Sequence, residues 1–406
     1  MTRELARRIA FTIGALLLYR LGSFVPLPGL NPDALKQLFG IGMSDKGIHR
    51  VSILYLSLTP YVGAAIVVRV LSMVWGRLSL LERSGEAGRR KIDGYTLITT
   101  LLIAGFQAYD VAVGVKSAGD LVNDPDGWFV LSAVMALIGG VFFLIWLSEL
   151  ITRHGIGNGL ALLLSLPFLV SLPQDATRIF DAVRQGVVSS NLVLAHIVFW
   201  VVAVAVIVAV ESARRNIRVE FAERRAGKYL LPARSAILPI KINNAGYLIP
   251  ITVASLVFFP FAVGPRFLGD GAPWLAAASW HLRFGDPAHL IIGAIVVFVV
   301  AVIYTAHVAD AEHAAESLHK HGGTIPNVEP GEPTAVHLDR IISLMTVVGA
   351  VYLTVVSKAA EVFWACGKAL PYAFSGGAAL IVVCTILDVR TQVRHLSLNR
   401  PGAEQR

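Results

Sequence analysis

The sequence predicts an all-α, polytopic membrane fold of ten spans. Three observations carry this. Ten apolar stretches run from end to end of the chain, each near the roughly twenty residues that a hydrocarbon core demands. Hydrophobic residues make up 55% of the chain and charged residues only 15%, far from the composition of soluble domains. With both ends placed in the cytoplasm, 23 of the 35 Lys and Arg residues fall inside, 10 fall outside, and 2 (Arg20 and Arg69) fall within spans. Excess positive charge on inside loops is the orientation signal of a plasma-membrane protein.

The spans are expected at about 8–26, 51–76, 94–112, 128–149, 157–173, 191–211, 245–264, 288–308, 341–357 and 372–389. The first follows Arg3, Arg7 and Arg8 in the manner of a signal peptide. It is followed by Arg20, Pro26 and Pro28 rather than by a small-residue cleavage site, so it reads as a retained span. The second contains Pro60, which removes a helical hydrogen bond and clashes with the preceding turn. The piece before Pro60 is too short to cross. Two readings follow: a re-entrant segment at 43–57 facing a water-filled cavity, which is where irregular backbone is tolerated at membrane depth, or an ordinary proline kink. The fifth span opens on Gly155-Ile-Gly157-Asn158-Gly159, which permits a tight turn and close helix packing. The seventh opens on Lys241-Ile-Asn243-Asn244-Ala-Gly246 and then meets Pro250.

Few ionisable groups fall near the midplane. Glu149 and Asp388 lie near span ends, and a proton- or ion-coupled transporter needs an intramembrane relay. Arg69 is the exception and reads as cavity-lining. The inside segment 77–93 carries Arg77, Arg83, Arg89, Arg90 and Lys91, and 211–241 carries eight basic residues. Such charge either sets orientation alone or docks an acidic or RNA-bearing partner. Cys366 and Cys384 form no framework or metal spacing. No nucleotide fingerprint or nucleophile elbow occurs, so energy must come from a partner or a gradient.

In order along the chain, several motifs resemble the SecY family, the channel subunit of the bacterial Sec translocase. They are Arg20-Leu-Gly-Ser-Phe-Val-Pro26-Leu-Pro28-Gly29, Ser84-Gly-Glu-Ala-Gly88-Arg89-Arg90-Lys91-Ile92, and Trp146-Leu-Ser-Glu149 with the 155–159 glycine run. Leu238-Pro-Ile-Lys241-Ile-Asn243 with Ala245-Gly246, and Pro330-Gly331-Glu332-Pro-Thr334, complete the set.

The resemblance implies two inverted halves of five helices, 1–173 and 174–406, around a central pore with a short re-entrant plug helix. By position the pore ring is Val62, Ile66, Leu164, Phe168, Ile251 and Ile381. The plug, about 43–57, includes Met43, Ser44, Gly47, Ser52 and Ile53. A lateral gate involves Arg69, Gln107 and Ser255. A motor- or ribosome-facing surface involves Arg89, Arg90, Arg224, Arg225, Lys228, Arg234, Glu329, Pro330 and Gly331. The implied activity is passage of unfolded preproteins across the bacterial plasma membrane and release of hydrophobic segments into the lipid bilayer, with both termini cytoplasmic. It involves no catalysis, cofactor or metal. Implied partners are small SecE- and SecG-like membrane subunits and a SecA-like motor ATPase or a ribosome.

The chain departs from the family at Glu329, where an Arg usually precedes the Pro-Gly-Glu tip. The surrounding loop 309–340 is acidic and also holds His313, His319, His321 and His337. Alternatives are therefore a diverged or second SecY copy with an altered motor interface or reduced activity, or a secondary solute transporter.

Overall fold

The computed structural model describes residues 3–31, 52–117, 121–122, 127–221, 224–226, 229–231, 234–243, 246, 257–261, 264–265, 273–308, 311–367 and 375–398. In chain order the elements are α1 (Arg3–Gly22), α2 (Thr59–Val74), α3 (Gly76–Arg83), α4 (Glu86–Lys116), α5 (Gly127–His154), α6 (Gly159–Arg184) and α7 (Ser190–Ser212). Then come β1 (Arg214–Phe221), β2 (Arg224–Ala226), β3 (Tyr229–Leu231), β4 (Arg234–Lys241), α8 (Pro273–His281), α9 (Pro287–Val308), α10 (Ala311–Lys320), β5 (Gly323–Thr324), α11 (Glu332–Gly367) and α12 (Gly376–Leu398). Two compact units result. The first is Met1–Val193, Ala254–Trp280 and Ala369–Arg406; the second is Leu194–Val253 and His281–Lys368.

Seven helices among the described residues are long and apolar enough to cross a bilayer: α4, α5, α6, α7, α9, α11 and α12. Two other expected spans are the 20-residue α1 and the 16-residue α2. The seventh expected span lies mostly outside the described residues and is helical at 257–261. Several helices outrun the expected spans. At about 1.5 Å per residue, the 36 residues of α11 exceed the ~30 Å hydrocarbon core. Its length exceeds that core by several turns.

In the first unit, Ala104, Ala108 and Ala112 form a buried stripe on α4. Phe129, Ala133, Leu137 and Val141 of α5 belong to the same apolar cluster. Every one of these steps is four residues, the spacing that keeps side chains on one helix face. Apolar burial drives little between helices already in lipid, so close van der Waals packing of small residues holds such pairs. A second cluster joins Ala15 and Tyr19 of α1, Leu144, Leu147 and Ile151 of α5, and Leu163 of α6.

The second unit adds short strands to the helical frame. The segment expected as a basic loop at 211–241 contains an antiparallel ladder that pairs Arg214 with Lys241 and Phe221 with Arg234. Ile217 and Val219 are buried while Arg218 and Glu220 are exposed, the period-2 pattern of a half-buried strand. The segment expected as a loop at 309–340 is likewise structured. In α10 Ala311 and Ala315 are buried, and they join Ile217, Ile325 and Leu338 in one core. The opposite face leaves Glu312, His313, Glu316 and His319 exposed.

Candidate functional site

The helices that carry the expected ring are positioned by local sequence. Pro60 sits in the first turn of α2, where its missing N–H costs nothing and its fixed φ favours a helix start. The break expected at Pro60 is therefore a helix beginning and not a kink. Val62 and Ile66 follow at one-turn spacing, Val62 buried and Ile66 half-buried. The 155–159 turn launches α6. The Asn158 side chain accepts hydrogen bonds from the Leu160 and Ala161 amides, and Gly157 has φ +83°, a region that favours glycine. A Cβ on Gly159 would lie 2.0 Å from the Ser148 carbonyl oxygen, so α5 and α6 approach at backbone contact. Leu164 and Phe168 follow on α6, also one turn apart and both half-buried; Ile381 of α12 is buried. These five lie in the first unit, and α12 packs on α6. Ile251 lies outside the described residues.

Two bonds that sequence reading missed hold this turn. The Ile156 amide donates to Thr12 Oγ1 of α1 at 2.9 Å. The Gly157 amide donates to Gln392 Oε1 of α12. Neither partner has a local signal: Thr12 follows the basic first turns of α1, and Gln392 is one of several polar residues in the last turns of α12.

Of the expected plug, Met43, Ser44 and Gly47 lie outside the described residues. Its end is anchored. Ser52 bridges antiparallel to Pro26, and the Ile53 amide donates to the Val25 carbonyl at 3.0 Å. Successive turns then carry buried Leu54, Leu56 and Leu58 to the start of α2. Gly140 of α5 admits this piece, because a Cβ there would stand 2.1 Å from the Ile53 carbonyl oxygen.

Of the expected gate residues, Arg69 on α2 and Gln107 on α4 are half-buried, and Ser255 lies outside the described residues. Beside Gln107, Phe106 meets Phe259 edge-on with ring centroids 5.7 Å apart. That contact ties α4 to the helical segment 257–261, and its two aromatics were not singled out from sequence.

Arg89 and Arg90 are exposed near the start of α4. Arg224 and Arg225 pair with Leu231 and Leu230 across β2 and β3, and Arg234 begins β4. Lys228 lies outside the described residues. Glu329 and Pro330 are exposed just before α11. Gly331 has φ +104°, and Thr334 Oγ1 donates to the Glu329 carbonyl at 2.7 Å. This tip is a built turn at a helix start.

The sequence pattern of the SecY family matches residues 52–390. The chain is 34% identical over 410 residues to the protein translocase subunit SecY of Escherichia coli strain K12, covering 98% of this chain and 92% of that protein. It is 36% identical to the SecY subunit of Vibrio cholerae, covering 96% of this chain and 91% of that one. Among solved structures, a protein-conducting channel aligns at TM-score 0.69 with 16% identity, covering 100% of this chain and 96% of the other. Canine Sec61 in a ribosome-channel complex aligns at 0.66 with 17% identity and the same coverage. Sequence relationship runs nearly end to end and the backbone follows the channel fold, so the chain belongs to the SecY family of channels, which are not enzymes.

Proposed function

We propose that the chain is the central protein-conducting channel of a Sec translocon in a bacterial plasma membrane, with both termini cytoplasmic. The observation that carries this is the near-complete match to proteins named translocase subunit SecY. The halves 1–173 and 174–406 enclose the pore. Val62, Ile66, Leu164, Phe168, Ile251 and Ile381 form its constriction. A ring of branched and aromatic carbons dewets and blocks ions, yet offers no hydrogen bond to hold a passing peptide. The segment 43–57 seals the pore from outside, and its anchored end at Ser52 and Ile53 is the fixed side of that seal.

A gate near Arg69, Gln107 and Ser255 sorts segments by partition energy. A central Leu gains roughly 0.3–0.6 kcal/mol in the bilayer, whereas a central Arg or Asp costs roughly 2.5–3.5 kcal/mol. Apolar segments of about twenty residues leave sideways and polar ones pass through. Small SecE- and SecG-like subunits complete the complex. A SecA-like motor or a ribosome docks on the 77–93 and 211–241 basic surfaces and on the 329–331 tip. The near-complete translocase match disfavours the solute-transporter reading.

The test is reconstitution into vesicles with SecE- and SecG-like subunits and a SecA-like motor. Protease protection of a preprotein that needs ATP and motor supports the proposal. Solute uptake with no partner and no preprotein movement would overturn it.

A further inference from the structure

The second unit contains a buried charged cluster that the channel reading does not use. Glu361 of α11 is 2% exposed, and His289 of α9 is 8% exposed. One carboxylate oxygen of Glu361 accepts from the Gly285 amide at 3.0 Å and lies 2.5 Å from His289 Nδ1. The other accepts from Lys358 Nζ at 2.9 Å. An ionised carboxylate only accepts, which sets the Nδ1–H tautomer of His289 whenever Glu361 is charged. The three donors come from three places: α11 itself, the first turn of α9, and the turn preceding α9. That turn is also pressed on α11 by shape. Gly285 has φ +90°, and a Cβ on it would stand 2.4 Å from the Trp364 ring. The Phe284 ring packs against both His289 and Trp364, at centroid distances of 5.7 and 5.6 Å.

We infer that Glu361 is a clamp that binds the ends of α9 and α11 and the 283–286 turn into one body. A buried carboxylate is held only where several donors replace its water, so sliding α9 along α11 would strip the buried Glu361 of its Gly285 and His289 donors. On the channel reading, on which this functional sense rests, the α9–α11 hairpin then moves as a rigid lever and does not flex at its outer end.

Hydrogen exchange on the purified full-length chain tests the clamp. In Glu361→Leu the Gly285 amide and the first turn of α9 should exchange at least tenfold faster. Glu361→Gln keeps a carbonyl acceptor and loses the charge, so its increase should be smaller than in Glu361→Leu. Adding His289→Phe to Glu361→Leu should raise exchange by less than the two single changes combined. That non-additivity is coupling, which two independently weakened helices would not show. Should Glu361→Leu not fold, His289→Phe carries the same expectation at Gly285. Exchange within twofold of the parent chain in the folded variant overturns the inference. No transported substrate is present, so a failed translocation assay would count against the channel reading and leave this result standing.

Discussion

Thr12 Oγ1 lies 2.9 Å from the amide nitrogen of Ile156, joining α1 to the turn before α6 across 144 residues of sequence. The same hydroxyl donates to the Arg8 carbonyl at 3.0 Å, so it is used in both senses. Thr12→Val keeps the shape but leaves the buried Ile156 amide without its acceptor. The expected cost is about 1–3 kcal/mol, read as a lowered unfolding temperature in detergent. Thr12→Ser should keep most of the stability, and equal losses in both variants would refute this role.

Gly140 and Gly139 are adjacent on α5 but differ in what a methyl would meet. At Gly140 it would strike the Ile53 carbonyl at 2.1 Å; at Gly139 nothing lies within 4 Å. Overpacking of this kind costs about 1–3 kcal/mol, and here the strain falls on the end of the proposed plug. Gly140→Ala should raise resting ion conductance in planar bilayers, whereas Gly139→Ala should not. Matching conductances would separate Gly140 from the seal.

Val62 and Ile66 present branched carbons one turn apart on α2. Replacing both with Ser gives water hydrogen-bonding partners at the proposed constriction and removes the dewetting barrier. Resting ion leak should rise severalfold with little change in fold by circular dichroism. An unaltered leak would place the constriction elsewhere.

Glu329 is exposed, and its structural bond uses the backbone carbonyl rather than the side chain. Glu329→Arg should therefore leave stability within about 0.5 kcal/mol while changing docking. A charge at a contact rim acts mainly on association rate and salt dependence. Faster, salt-sensitive binding of a SecA-like motor is expected by surface plasmon resonance. Identical kinetics in low and high salt would remove Glu329 from the interface.

Legibility followed the range of the interaction. Pro60 marked a break in the second span because proline's missing N–H is a local fact, and the structure makes that break the start of α2. The glycine-Asn run marked the start of α6 because capping uses residues two or three apart. The β1–β4 ladder escaped because its basic side chains masked the alternation of Ile217 and Val219. The true length of α11 escaped because the polar first turns, Glu332 to Arg340, lack an apolar signal and because Lys358 and Glu361 interrupt it near the other end.

The sequence by itself determined the membrane class, most of the spans and the family. Those rest on apolar length, charge placement and ordered motifs, all of which are additive along a chain. Only the tertiary structure decided which polar atoms meet: Thr12 with Ile156, Gln392 with Gly157, and Glu361 with Gly285 and His289. The physical reason is that a buried donor or acceptor must find a partner wherever packing delivers one. Neither composition nor period records which distant helix face arrives.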